Sequence, residues 1–429
     1  MENRYEKYKD SGIAWIGNIP EHWEVCSIKQ IMKNKSIKGF PNETVLSLYR
    51  DFGIIPKDSR DDNHNVTSED TSNYKLVENG DFVINKMKAW QGSMAISDFK
   101  GIISPAYYIC KIFSPKVVRK YIHYLLRDES YKAEYMRLST GMRIGQWDLN
   151  IDDFLQINTI LPLLSEQQSI ATYLDQKCGE IDELITLQEE MITKLQSYKQ
   201  SVITEAVTKG LDKNVPLKDS GIEWIGEIPE HWICTVFKKF LSEPMQYGAN
   251  EPAEECNYND PRYIRITDIK DDGTLRDDTF KSLPLEKAKE YMLTKGDLLF
   301  ARSGATVGKT FLYKEDYAAC FAGYLIKARC NKNELLPNFV FYYTLSNVYQ
   351  NWKNSIFIQS TIQNIGADKY SVMPIIIPPL SEQQSIANYL DQKCSEIDEL
   401  ISIKQQKIEK LKDYKKSLIF ECVTGKRKV

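Results

Sequence analysis

The sequence predicts an α+β protein built twice. Two globular modules are joined by two long helices that form an antiparallel coiled coil, and a pseudo-twofold internal repeat relates the halves. Three observations carry this. Ser165–Thr186 (SEQQSIATYLDQKCGEIDELIT) and Ser381–Ser402 (SEQQSIANYLDQKCSEIDELIS) agree at 19 of 22 positions. Lys9–Val25 and Lys218–Cys234 agree at 13 of 17. Between each pair lie segments of similar length, 26–160 and 235–377, that share almost nothing. Such self-similarity marks tandem half-proteins. Uniform drift after duplication would not spare one segment and erase its neighbour, so the frame is common and the contents differ.

Taken in order, each module opens on the repeated Trp/His block and continues into short runs of β-branched and aromatic residues between turn signals. Thr44–Tyr49, Phe82–Asn85, Tyr107–Phe113, Tyr263–Thr267, Leu298–Ala301 and Tyr324–Ala328 read as strands. Lys116–Leu138 and Pro337–Lys353 read as helices. Gly80-Asp81 and Gly296-Asp297 are landmarks shared by both modules. Each module then runs into a long helix, for which Ser165 is the expected cap and Gln168 completes a capping box. Apolar residues recur at Leu174, Ile181, Leu184, Met191, Leu195, Tyr198 and Val202, and again at Leu390, Ile397, Leu400, Leu411, Tyr414 and Leu418, an a/d-like spacing. Gly210 is the expected C-cap and Pro216 prevents continuation. The resulting division is 1–160 for the first module, 161–217 for a helical spacer, 218–377 for the second module and 378–429 for a second spacer.

Composition bounds the function. With 429 residues, 42% of them hydrophobic, the chain suits two or three domains with real cores. It has no apolar run of ~20 residues and no apolar region near the N-terminus, so a soluble cytoplasmic protein is expected. The nine cysteines are scattered without any Cys-x-x-Cys, and the four histidines have no ligand-spaced neighbours. That argues against a disulfide framework and a metal site, and for thiols acting as small apolar groups.

Catalytic motifs are missing. Ser303–Thr310 (SGATVGKT) resembles a phosphate-binding loop, but that pattern needs glycine at position 303, so the loop is one residue short between its glycines. Pro378-Pro379 is followed by Leu380 and not by an aromatic residue, so no adenine methyltransferase tetrapeptide is present. His22 and His231 sit in the repeated block and are expected to pack beside Trp23 and Trp232. No residue is assigned a catalytic role.

Charge points elsewhere. The chain is at −3 overall, yet Gly80–Arg143 holds 11 basic and five acidic residues, and Lys295–Lys369 nine and five. Acidity therefore sits on the scaffold. Aromatics interleave with the basic residues (Trp90, Tyr107, Trp147, Phe311, Trp352), as nucleic-acid contact requires.

The Tyr-Lys-Asp-Ser-Gly-x-x-Trp-x-Gly-x-Ile-Pro-x-His-Trp block at Tyr8–Trp23 and again after Leu217, with Pro-x-x-Ser-Glu-Gln-Gln-x-Ile-Ala at Pro162–Ala171 and Pro378–Ala387, resembles the specificity subunit of type I restriction-modification systems, over essentially the whole chain. The resemblance implies two target-recognition domains, each reading half of a bipartite DNA site, held by an antiparallel pair of helices. It implies docking of two modification (methyltransferase) subunits and recruitment of restriction/translocase subunits. S-adenosylmethionine, ATP and Mg are expected in those partners and no cofactor in this chain. Lys86, Lys88 and Arg143 in the first module, and Arg302, Lys309, Gln359 and Gln363 in the second, are the candidate DNA-facing residues. Gln167, Tyr173, Lys177, Gln383, Tyr389 and Lys393 on the helix faces are candidate partner-binding residues. A coiled-coil adaptor with two protein-binding modules is the alternative.

Overall fold

A computed structural model describes residues 4–49, 53–60, 67, 70–141, 147–253, 256–270, 273–358 and 364–429. The chain forms two compact units. One comprises the chain up to Glu189 together with Gln406–Val429, and the other is Glu190–Gln405.

In the first unit, β1 (Glu24–Ser27), β2 (Met32–Lys35), β3 (Phe82–Asn85), β4 (Met94–Ile96) and β5 (Tyr107–Ile112) precede α1 (Arg119–Arg127), α2 (Glu129–Leu138), β6 (Asn158–Leu161) and the long helix α3 (Leu164–Lys209). β2, β5, β3 and β4 form an antiparallel sheet in that order, with Cys110 opposite Phe82 and Tyr107 opposite Asn85. β1 pairs with β6, tying the start of the module to the strand that feeds α3. The single helix expected over Lys116–Leu138 is two. Asp128 has extended backbone and its carboxylate accepts the amide of Ser130 at 2.9 Å, which ends one helix and caps the next.

The second unit repeats the plan with β7 (Ile233–Val236), β8 (Gln246–Tyr247), β9 (Leu298–Ala301), β10 (Thr310–Leu312), β11 (Leu325–Ala328), α4 (Pro337–Leu345), α5 (Asn347–Ile358), β12 (Pro374–Ile377) and the long helix α6 (Leu380–Val423). Its sheet order is β8-β11-β9-β10, and β7 pairs with β12. Ser346 splits the helical run here as Asp128 does in the first unit. Tyr263–Thr267 gives only a short strand, Arg262–Ile264, before a 3-10 turn. The unrelated sequences between the repeats thus share the order of the four-stranded sheet, while the smaller pairs differ: Lys75–Val77 runs antiparallel to Gly101–Ile103 in the first module, and Arg262–Ile264 runs parallel to Ala319–Phe321 in the second.

Within each unit, a segment of α3 lies antiparallel to a segment of α6. In the first, Lys415 pairs with Asp182 at 2.7 Å, and Leu174, Cys178, Leu418 and Cys422 share one core. In the second, Lys199 pairs with Asp398 at 2.7 Å, and Val202 and Ala206 share a core with Ile386, Leu390 and Cys394. The seam of α3 runs through Cys178, Ile181, Ile185, Gln188, Ile192, Leu195, Lys199 and Val202. That of α6 runs through Cys394, Ile397, Ile401, Lys404, Ile408, Leu411, Lys415 and Leu418. Both follow alternating steps of three and four, the heptad rule. Leu184, Met191, Tyr198, Leu400 and Tyr414 were expected in these seams and instead lie 42–52% exposed.

The helix starts also differ from expectation. Ser165 lies inside the first turn of α3, and among the described residues its side chain takes no backbone amide. The adjacent Glu166 takes the Leu163 amide and pairs with His22 at 2.9 Å. In the repeat, Glu382 pairs with His231 at 2.7 Å and accepts Trp232 Nε1 at 3.0 Å. The repeated histidines are therefore clamps on the starts of the long helices. The tryptophans, both fully buried, receive the other helix ends. Gly210, just past α3, has φ +76°, and a Cβ there would lie 3.1 Å from Trp232; Gly425, past α6, has φ +72° and would meet Trp23 at the same distance.

His123 on α1 accepts the Ile96 amide of β4 through Nδ1 at 3.2 Å. Burial, helped by Arg127, pushes its pKa down to about 3. The unfolded chain binds this proton near pH 6.5 and the folded chain does not, so stability falls as pH drops through that window. The expected cost at pH 5 is about 2 kcal/mol. His123→Gln should lose less between pH 7 and pH 5, read from urea midpoints. An equal loss in both proteins would place the acid sensitivity elsewhere.

Candidate nucleic-acid interface

The shared Gly-Asp landmarks stand at the start of the central strands β3 and β9, and their role is structural. Asp81 is buried, accepts the Glu78 amide at 2.7 Å and pairs with Lys35 at 2.5 Å. Asp297 accepts the Thr294 amide at 2.8 Å and both Nε and Nη2 of Arg329 at 2.7 Å. Each turn is sealed by a cation from within its own module, so neither carboxylate is available to a ligand.

The opposite ends of the same strands differ. Lys86 follows β3 directly and Arg302 follows β9 directly, equivalent stations in two equivalent sheets. Each lies over a tyrosine ring. Lys86 Nζ is 4.5 Å from the centroid of Tyr108, and the Arg302 guanidinium is 4.9 Å from that of Tyr247. Such contacts are worth about 0.5–1 kcal/mol at exposed sites and orient the cation. Lys75, buried, donates to the Tyr107 carbonyl at 2.6 Å and also approaches Tyr108; burial and then Lys86 lower its pKa. Lys88 is exposed beside a cavity of about 370 Å³ that Ser47, Lys57, Asn85 and Tyr107 also line. In the second module the stem of Lys353 lies across Gly308, where a Cβ would come within 2.4 Å of its Cδ, and burial lowers its pKa.

Among the described residues, no ion pair holds Lys86, Lys88, Arg302 or Lys353. Several other lysines and arginines on the modules are matched, as in Lys100–Glu43, Lys120–Asp175, Arg265–Asp268 and Lys287–Glu251, while among the described residues Lys111, Arg119, Lys238 and Lys314 also have no ion pair. Unmatched cations gathered at one end of a sheet hold a local positive potential suited to a polyanion.

Lys309 is half-buried at the far side of the Arg302 loop. Arg143, Gln359 and Gln363 lie outside the described residues. The Ser303–Thr310 loop joins β9 to the antiparallel β10, a hairpin and not the strand-to-helix turn of a phosphate-binding loop. Phe311 and Trp352 are core residues, 3% and 5% exposed, and cannot serve as stacking surfaces. Sequence reading missed Tyr247, Tyr108, Lys75 and Lys353. Tyr247 lies in a different strand from Arg302, and only the sheet joins them.

The helix positions sort in two ways. Gln167 and Gln383, expected on exposed faces, are completely buried. Gln167 accepts the Val118 amide at 2.8 Å and donates to the carbonyls of Lys116 and Pro162, both at 2.9 Å. Gln383 accepts the Leu336 amide at 2.8 Å and donates to Glu334 and Pro378 at 2.9 and 2.8 Å. Both lock the module to its long helix. Tyr173 is half-buried and Tyr389 is 39% exposed, while Lys177 and Lys393 reach Glu180 and Glu396 at 2.6 and 2.9 Å. A second apolar stripe also lies open on each helix: Leu184, Leu187, Met191 and Tyr198 on α3, and Leu400, Ile403 and Tyr414 on α6.

A family profile described as "Type I restriction modification DNA specificity domain" matches residues 20–196 and 246–413. The MjaVIII specificity subunit of a type I restriction enzyme from Methanocaldococcus jannaschii is 26% identical over 425 residues, covering 96% of this chain and 94% of its own. The EcoKI specificity subunit of Escherichia coli is 23% identical over 66% of this chain and 60% of its own. Among solved structures, a chain from a type I R-M system superposes with a TM-score of 0.71 at 16% identity, covering 94% and 98%. The HsdS subunit from Thermoanaerobacter tengcongensis gives 0.53 at 16%, covering 95% and 98%.

Proposed function

From the premise that the chain belongs to the type I restriction-modification DNA specificity family, we propose that each module reads one half of a bipartite duplex site, and that α3 and α6 set the distance between the halves. The observation that carries this reading is the pair of unmatched cations, Lys86 and Arg302, at one station of two equivalent sheets. A protein-binding adaptor would have no need of cations held at matching stations without carboxylates.

The chain is the specificity subunit, and in this reading it performs no chemistry itself. Two modification subunits dock on the repeated helix surface. Contact is made by the open stripe of Leu184, Leu187 and Tyr198 and by its repeat at Leu400, Ile403 and Tyr414, with Tyr389 at the edge. The same apolar pattern occurring twice supports two copies of one partner. Restriction/translocase subunits complete the assembly. S-adenosylmethionine, ATP and Mg belong to those subunits, and the complex works in the cytoplasm, where its DNA is. No helix among the described residues is long and apolar enough to cross a membrane.

Mapping adenine methylation in cells with and without this chain tests the reading. A bipartite motif that disappears with the chain is the expected result, and an unchanged methylome would favour the adaptor. Lys86→Ala and Lys88→Ala should each weaken binding across all sequences and lower the salt slope of binding by about 1. A double variant with an unaltered slope would move the phosphate-facing surface elsewhere.

A further inference from the structure

We propose that Arg302 is a base-reading residue of the second module, taking the O6/N7 edge of a guanine in that module's half-site. The inference rests on the DNA-reading role proposed above and deepens it. Three features set this side chain apart from a general phosphate contact.

The guanidinium is already placed. It lies over Tyr247, whose hydroxyl is itself fixed by accepting the Ala367 amide at 3.0 Å. The Arg302 backbone is pinned on both sides, its amide to the Tyr324 carbonyl at 3.0 Å and its carbonyl to the Ile365 amide at 2.8 Å. A planar fork held this way loses little further freedom on binding, the condition for selective bidentate contact.

The half-buried guanidinium is also unclaimed by its own module. Nε is shut off from solvent without a hydrogen-bond partner, and among the described residues no ion pair or other hydrogen bond engages the group. The Nη edge therefore remains for a ligand, and two parallel N–H donors match the two acceptors of guanine in the major groove. Tyr247 and Tyr324, 41% and 60% exposed, flank the residue and leave it room to approach a groove.

Finally, the equivalent station of the first module holds Lys86, a point charge with no bidentate geometry. The modules thus differ in chemistry at a position they share in structure. Lys353, whose stem lies across Gly308 at the end of the same loop, serves as the comparison: a cation near Arg302 with, among the described residues, no ring or second contact to orient it for base reading.

The test uses the full chain with its modification subunits, methylating duplex libraries randomised in one half-site at a time. Arg302→Lys keeps the charge on the ring. It should reduce a guanine preference of about tenfold to a hundredfold at one base pair to near none, with the other half-site unchanged. Arg302→Gln should do the same. Lys353→Ala should lower methylation of all sequences alike. If both Arg302 variants weaken every sequence equally, Arg302 is a phosphate contact and the proposal is wrong; if they alter the other half-site, it is assigned to the wrong module. A wild-type complex without sequence preference in either half-site would instead overturn the DNA-reading role itself.

Discussion

Deleting one heptad from each long helix, Thr186–Ile192 together with Ser402–Ile408, is expected to abolish methylation at the original site and transfer it to one with a shorter spacer. The deletion removes Gln188 and Ile192 from one seam and Lys404 and Ile408 from the other, so both seams keep their phase. The ion pairs Lys415–Asp182 and Lys199–Asp398 lie outside the deleted segments and stay in register with each other. Each helix shortens by about 10 Å at ~1.5 Å per residue. That corresponds to at most about three base pairs, fewer if the helices tilt against the duplex. On the original site one module would then lose its base contacts, at ~1–3 kcal/mol each, a loss of about two orders of magnitude or more. Both half-site sequences should survive unchanged. A folded, partner-bound variant that still methylates only the original spacing would show that helix length does not set the distance.

The second large effect concerns the buried glutamines. Gln167→Leu leaves the Val118 amide and the Lys116 and Pro162 carbonyls without their side-chain partner, and Gln383→Leu does the same to Leu336, Glu334 and Pro378, with the Pro162 and Pro378 bonds fully buried. An unsatisfied buried polar group costs about 1–3 kcal/mol, so each change should destabilise its unit by about 2 kcal/mol. The neighbouring Gln168 is exposed, and Gln168→Ala should stay within about 0.5 kcal/mol. Urea unfolding of the three variants decides the matter, and equal stability throughout would remove the locking role. The repeated Ser-Glu-Gln-Gln motif is then a fastening device: its glutamate holds the Trp/His block and its first glutamine holds the module.

The two-module α+β plan and the two long helices were legible because repeats and periodicity are local. The seam was less so. Gln188, Lys199, Lys404 and Lys415 occupy seam positions that a reading by apolar spacing discards, while the open stripe through Leu184, Met191 and Tyr198 offers a competing phase one residue earlier. The breaks at Asp128 and Ser346 were hidden inside apolar patterns, and only the capping geometry reveals them. At the interface, local basicity pointed to Lys86, Lys88 and Arg302. It did not point to the tyrosines beneath two of them, because Tyr247 and Arg302 are brought together by strand order and not by spacing.

The division of the chain between units has a consequence for biosynthesis. Glu190–Gln405 is continuous and has all its parts once the ribosome has passed them. The other unit waits. Tyr121 donates to the Val423 carbonyl at 2.9 Å, Tyr8 to the Gly425 carbonyl at 3.1 Å, and Leu418 and Cys422 fill the core around Leu174 and Cys178. At 5–20 residues per second, roughly ten to forty seconds separate the emergence of Glu190 from that of Gln406. Throughout that interval Leu174, Cys178 and Ile181 lack the helix that covers them, a window for aggregation or chaperone capture. The half of the protein that is made first is therefore finished last.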